Sequence, residues 1–401
     1  MIIYKRTFKH FFFMFFILFG LVFNTMLGSI GALAFLVSGM LLLVKYVEIR
    51  IDWLSYYPIL LIPTLAICSF LWSDYPSASL RGGVQLILTT LIAIYAAKFV
   101  PFSVFKNTLL LVLFFAMLAS LLSSKVAVSG LTGEVNLVGI FGSKNFLAVH
   151  SSLSCILGFY LLFSKRNIFK ILGATLFSVS CLVLFRANSV GSIGFMFLSL
   201  IISSIIIIYQ NWKVSKKIKV VVDGIILTMS SLVLIGTVSL FLNGSLDEII
   251  YGVGKDPTLT GRTVLWDIGY VLFLKQPLLG FGYEGLFRIG NYQAEDIWEM
   301  FSVASGSGFN FHNMYVDTMV EFGTIGIVAF MLQIALFIKA ILKIRHFSFG
   351  TQYHFIVMVF TYLFLQTFLE AGWSNQFTLI HFLISCFWVY LKDIDEREYK
   401  Q

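Results

Sequence analysis

Charge is scarce in this chain. Asp, Glu, Lys and Arg make up 12% of its 401 residues, against 59% hydrophobic residues, and the mean hydropathy is +0.91. That balance excludes a soluble domain, which would not carry so many uninterrupted apolar runs. Cysteine is sparse as well. Cys68, Cys155, Cys181 and Cys386 all fall inside apolar runs without metal-type spacing, so no disulfide framework is indicated. No pair among the six histidines has a metal-ligand spacing. The chain lacks a phosphate-cradling P-loop and a dinucleotide fingerprint, which leaves ATP-driven transport unsupported. It has no internal repeat. No metal or cofactor is expected. Phe11–Leu27 has no small-residue cleavage site and further spans follow it, so it reads as a membrane span, not a cleaved leader.

What the sequence does have is apolar stretches long enough to cross a bilayer. A span needs about 20 mostly apolar residues. The pattern predicts an all-α, polytopic membrane protein, a single integral membrane domain over 1–401. Its twelve expected spans lie near 10–26, 28–46, 54–72, 82–99, 104–123, 146–163, 169–186, 190–209, 219–243, 312–341, 352–370 and 374–391. The net charge of +8 would suggest nucleic acid only until the charges are placed, and they are spread over short loops. Of the 28 Lys and Arg residues, 20 fall on one set of alternating connectors and eight on the other. The positive-inside rule then puts both termini in the cytoplasm and residues 124–145 and 244–311 outside.

The outer segment 244–311 is too long for a mere turn. Val264, Leu265, Ile268, Val271 and Leu272 stand at helical spacing within Arg262–Lys275, with Thr260 placed to cap. A short amphipathic helix at or near the membrane surface is expected there, followed by a turn-rich break through Pro277 and the glycines of GFGYEG (280–285).

His312 stands where this segment re-enters the membrane, in FNFHNMYVDTMVEFGTIG (309–326). A neutral imidazole at that depth can accept a proton near physiological pH. An interfacial histidine with water and a capping partner is the other reading. On a continuous helix, Gly323 and Gly326 would flank the His312 face at roughly 20° and 40°, letting another helix approach it, while Glu321 would point away. Arg262, Arg186 at the outer end of span seven, and Lys144 with Asn145 at the start of span six share the outer side, where a phosphate or diphosphate would find donors. Snorkelling to lipid headgroups is the alternative for such cations, and the favoured one for Lys125, Lys275 and Arg288. For Arg262, in an acidic segment, function is favoured. Glu370, at the end of span eleven, could join this site or cap a helix. His150, His354 and His381 lie in spans and read as packed or bonded to backbone carbonyls.

Two stretches, LTGRTVLWDIGYVLFLKQPLLGFGYEGLF (259–287) and HNMYVDTMVEFGTIG (312–326), together with FGSKNFLAVH (141–150), resemble the O-antigen ligase and polymerase superfamily of bacterial cell envelopes. The first is most similar to polymerases of the Wzy and ExoQ type. The second matches the family's His-Asn followed by Glu-x-Gly-x-x-Gly. The resemblance implies a metal-independent glycosyltransferase in the bacterial inner membrane. Its donor would be a glycan on a polyprenyl diphosphate, and its acceptor another glycan or a lipid A core. Membrane lipids and a chain-length regulator are the further partners, and nucleic acid is not one. In that reading His312 is the general base, Arg262 and Arg186 hold the diphosphate, and Asn313 orients the imidazole or bonds a sugar hydroxyl. Trp266, Tyr283, Tyr292 and Trp298 offer faces to sugars. Val190 occupies the place where many members carry a cation, so Arg186, about one turn earlier on a continuous helix, is expected to substitute for it. A repeat-unit polymerase is the leading reading and a ligase the second. A lipid-linked glycan flippase is the rival from another class, and a non-catalytic assembly protein a third.

Overall fold

The computed structural model describes residues 2–128, 135–211, 261–344 and 351–398. Helices occupy eleven of the twelve expected segments, and the twelfth, 219–243, lies outside the described residues. In chain order they are α1 (Ile2–Val22), the short α2 (Asn24–Leu27), α3 (Ser29–Tyr46), α4 (Tyr57–Cys68), α5 (Pro76–Phe99), α6 (Phe102–Leu122), α7 (Lys144–Leu162), α8 (Asn167–Ala187) and α9 (Val190–Asn211). After the next described residues begin come α10 (Arg262–Lys275), α11 (Tyr292–Met300), α12 (Met314–Ile344), α13 (Thr351–Gln366) and α14 (Leu379–Glu398).

Seven helical segments among the described residues are long and apolar enough to cross a membrane, and Phe8–Val22 and Val190–Ile205 are shorter apolar helices. The protein is a multi-pass membrane protein, and the count of twelve spans is not reached among these residues. A small antiparallel hairpin, β1 (Val126–Val128) with β2 (Val135–Leu137), joins α6 to α7 in register Ala127 to Asn136, a departure from an all-helical expectation.

The helices sort by how much of their surface is covered. From Leu379 to Leu391, α14 is buried on every side, and most of α13 is buried with it. A helix that is apolar all round belongs in the middle of a bundle. By contrast α3 leaves Ile30, Leu33, Leu41 and Val44 exposed, and α8 leaves Ile168, Ile171, Leu182 and Phe185. These apolar stripes need a bilayer to cover them. Where helices meet most closely the contact is made of small residues. A Cβ on Gly158 of α7 would lie 2.7 Å from Phe177 N and 2.9 Å from Gly173 O of α8.

Charged side chains mark the two ends. At one end Lys98 pairs with Asp393 at 2.8 Å and Lys343 with Asp395 at 2.7 Å. All these cations belong to the abundant set of the sequence. At the other end lie Arg262 and Arg288, of the sparse set, together with a second apolar cluster. It is built from Leu265, Leu272, Phe281, Leu286, Ile297 and Phe311, drawn from α10, α11 and the links around them, and closed by Val320 of α12.

Candidate active site

The turn that carries His312 is held by its neighbours. Helix α12 begins at Met314, and the Asn313 side chain accepts from the backbone N–H of Tyr315 at 2.9 Å and of Val316 at 3.2 Å. That makes Asn313 the N-cap. Its amide nitrogen donates to Phe368 O at 3.3 Å, so both ends of this side chain are engaged in fixing the turn. One turn into the helix, Asp317 accepts from Phe311 N at 2.8 Å, while Asn310 accepts from His312 N at 2.8 Å. Between these bonds His312 adopts φ 49°, a left-handed conformation that a histidine rarely takes without such support.

The partner of His312 comes from the link between α13 and α14. That link is not helical: α13 stops at Gln366, four residues before the end expected from the sequence, and α14 starts at Leu379. Met314 N donates to Thr367 O at 2.9 Å, which docks the start of α12 on the link. Glu370 then stands between His312 and Arg262. Its Oε2 lies 3.2 Å from His312 Nδ1 and its Oε1 lies 3.0 Å from an Arg262 amino group. The second Arg262 amino group donates to Leu369 O at 2.9 Å. The Arg262 and Glu370 side chains keep only 14% and 17% exposure, and His312 keeps 31%, so the imidazole is the open member of the group. An ionised carboxylate only accepts hydrogen bonds. Facing such a carboxylate, Nδ1 is the donor of this pair, which leaves Nε2 as the other ring nitrogen.

The long helix expected over 312–341 is not continuous. At Gly323 the backbone turns to φ 62° and ψ −154°. The approach to it comes from a turn-rich link, residues 277–282, and not from a helix. Val320 O and Glu321 O accept from Phe281 N and Gly282 N, each at 2.9 Å, while Thr324 N and Ile325 N donate to Pro277 O and Leu278 O at 2.8 and 3.3 Å. In a regular helix these four groups of α12 would bond to one another. A Cβ on Gly323 would collide with the Leu278 backbone, which fits only glycine there. The break lets a short helical piece, Met314–Phe322, hold its own direction beneath His312, and the part after it is still long enough to span.

The same link assembles a polar cluster that spacing alone did not expose. Glu284 N donates to the Glu321 carboxylate at 3.1 Å, which places Glu321 in this cluster. The Glu284 carboxylate takes hydrogen bonds from Arg288 and from the Gln376 amide. Arg288 is thus an intramolecular partner, its Nε also donating to Glu284 O at 2.7 Å, and not a headgroup anchor. Tyr283 is 1% exposed, and its hydroxyl donates to Ser374 O at 2.9 Å. Burial pushes the Tyr283 phenol well above its ordinary range, and the Glu321 and Glu284 carboxylates push it the same way. The expected sugar platform at Tyr283 is therefore a packed core residue, stacked on Phe322. Trp298 is buried too, and the half-buried Trp266 donates to Phe311 O at 2.9 Å, directly behind His312. Tyr292 alone of the four aromatics stands well exposed.

The remaining expected residues fall at the same end of the bundle. Tyr362, one turn before the end of α13, donates to Val149 O at 3.0 Å, which sets the start of α7, and with it the half-buried Lys144 and Asn145, level with the His312 group. A Cβ on Gly191 would meet a Leu369 methyl at 2.5 Å, so the start of α9 borders the link that carries Glu370. Arg186 is exposed at the end of α8. The expected one-turn relation between Arg186 and Val190 does not hold. Asn188, left-handed at φ 50° and ψ 45°, ends α8, and Val190 opens a separate helix. At the start of α10 the capping position belongs to Gly261, and Thr260 lies outside the described residues. His150 and His381 bond to the carbonyls of Phe146 at 2.9 Å and Trp373 at 2.7 Å, as core histidines do.

Two of these pieces, the histidine on a fixed turn and the arginine beside it, come from a segment that matches a known family. Residues 174–331, which contain both Arg262 and His312, match the family described as O-antigen ligase. The chain resembles the O-antigen ligase and polymerase superfamily. It is also 29% identical over 293 residues to the exopolysaccharide production protein ExoQ of Rhizobium meliloti (strain 1021). That alignment takes in 72% of this chain and 66% of the relative, just under two thirds of its length.

Proposed function

We propose that the protein is a membrane-embedded, metal-independent glycosyltransferase that polymerises glycan repeat units carried on a polyprenyl diphosphate, at the outer face of the bacterial inner membrane. The observation that carries this reading is the shared carboxylate, Glu370, 3.2 Å from His312 and 3.0 Å from Arg262. Glu370 holds the ring so that Nε2 faces outward as a base, and it stabilises the imidazolium once a proton arrives. An acceptor hydroxyl gives its proton to Nε2 as its oxygen bonds to the anomeric carbon. The bond from that carbon to the diphosphate breaks, and the electron pair leaves with the diphosphate. The N–H donors of Arg262 not bonded to Glu370 and Leu369 face the developing negative charge. Arg186, Lys144 and Asn145 supply further donors from the borders of the site.

A ligase that hands the glycan to a lipid A core would use the same chemistry, and the family description of residues 174–331 favours it as the second reading. A flippase needs a passage. Its best candidate here is the interruption at Gly323, but residues 277–282 fill that break and satisfy its backbone.

The test uses the purified protein with a single repeat unit on polyprenyl diphosphate and no lipid A core. A ladder of longer lipid-linked chains is expected. His312→Ala should cut the rate by about 10²–10⁴-fold, the range of general-base catalysis, with the protein still folded. Product only on addition of lipid A core would identify a ligase, and wild-type rates in the variant would remove His312 from the reaction.

A further inference from the structure

A cavity of about 590 Å³ opens among α6, the turn joining α7 to α8, α9 and α13. It is remote from the His312 group. Its lining includes His354 and Met358, in the first half of α13, whereas Glu370 lies beyond the far end of that helix. From His354 to Gln366 the helix axis advances roughly 18 Å.

The lining divides by chemistry. Phe159, Phe163, Phe169 and Met358 give it apolar walls. Lys106, Lys165 and Arg166 stand around it, with the hydroxyls of Ser164 and Ser204, and no carboxylate is among its described lining residues. Lys106 lies in the second turn of α6, its Nζ 5.7 Å from the Tyr160 ring centroid. Lys165 and Arg166 occupy the short turn between α7 and α8, where both are exposed. Phe163 on the same turn is 73% exposed, so the rim is an apolar surface that faces lipid, with cations at headgroup height.

We propose that this cavity binds an anionic glycerophospholipid, its phosphate between Lys165, Arg166 and Lys106 and an acyl chain along the phenylalanine wall. Three cations without a carboxylate favour an anion. A small anion would leave the apolar wall unused, and a zwitterionic lipid would bring a cation of its own to the lysines. Binding would draw α6, α8 and α13 together around one ligand, far from the reacting groups, and so stabilise the bundle by mass action.

The experiment uses the full chain in mixed micelles with three probes: phosphatidylglycerol, phosphatidylcholine of the same acyl chains, and inorganic phosphate. Melting temperature and lipid retained in native mass spectrometry are read together. Phosphatidylglycerol should raise the melting temperature and stay bound, more weakly at high salt. The exposed double variant Lys165→Ala/Arg166→Ala should bind it at least about tenfold more weakly, and the charge-preserving Lys165→Arg/Arg166→Lys should bind as the wild type does. Ser204→Trp, which fills the cavity, should lose the lipid without losing the fold. Equal effects of phosphatidylcholine or of inorganic phosphate would overturn the proposal. So would unchanged binding in the alanine pair, loss of binding in the charge-preserving pair, or displacement of phosphatidylglycerol by an equimolar polyprenyl phosphate.

Discussion

At the scale of single residues, Glu370 does the organising. One carboxylate faces both His312 and Arg262, so its charge and its geometry have separate consequences. Glu370→Gln keeps the shape but removes the charge that favours the imidazolium. We expect a drop in turnover of about tenfold or more, with little change in the concentration of donor needed for half-maximal rate, measured by polymer formation at matched protein level. An equal loss through weaker donor binding would mean that Glu370 acts on Arg262 instead. Arg186 poses the complementary question. Arg186→Ala should impair transfer strongly if this exposed cation reaches the diphosphate, and Val190→Arg in that background should restore part of the activity, because the start of α9 borders the Glu370 link. Full activity in Arg186→Ala would leave Arg186 as a membrane-interface anchor.

Among elements, the most informative is the break in α12. A non-glycine residue held at such a φ and ψ costs about 1–3 kcal/mol before any collision, and the Leu278 backbone stands where a Cβ would go. Gly323→Ala should therefore lower the melting temperature of the solubilised protein and reduce activity with it, whereas Gly308→Ala, exposed and with nothing within 4 Å of its Cβ position, should change neither. The sequence told half of this. Apolar length located the helices, because hydrophobic runs follow local composition. The helix over Arg262–Lys275 was likewise visible from the spacing of Leu265, Ile268 and Leu272. The break was hidden, because a glycine inside an apolar run reads equally well as a packing notch. So was the cluster of Glu284, Arg288, Glu321 and Gln376, whose members lie up to 92 residues apart and meet only through the fold. His312 stood out as a polar residue at the edge of a membrane span, and Arg262 as a cation in an acidic segment. Glu370 was ambiguous, since the end of α13 could not be fixed from hydropathy and the non-helical link after it left no pattern.

Across the described residues, members of the two sets of cations lie at opposite ends. Lys98, Lys343 and the cavity cations lie at one, and Arg262 and Arg288 at the other. If the first end is cytoplasmic, as their abundance dictates, a cysteine in the exposed stretch near Ala304 is reachable only from outside. Ala304→Cys in intact cells should react with a membrane-impermeant maleimide within minutes, and Lys165→Cys should react only after the membrane is opened. The reverse pattern would turn the protein over and take the lipid-linked donor away from His312.

The exchange of bonds at Gly323 also constrains how such proteins can be recombined. Residues 277–282 stand in sequence with the outer segment, yet in hydrogen bonding they are part of the transmembrane helix they complete. Left without them while the break stands, Val320 O, Glu321 O, Thr324 N and Ile325 N would lose their partners, at about 1–3 kcal/mol for each that stays buried. A chimera that borrows residues between α9 and α12 from a relative must therefore be spliced after residue 282. Cutting at the apparent end of the membrane span removes the four hydrogen bonds that close the break in α12.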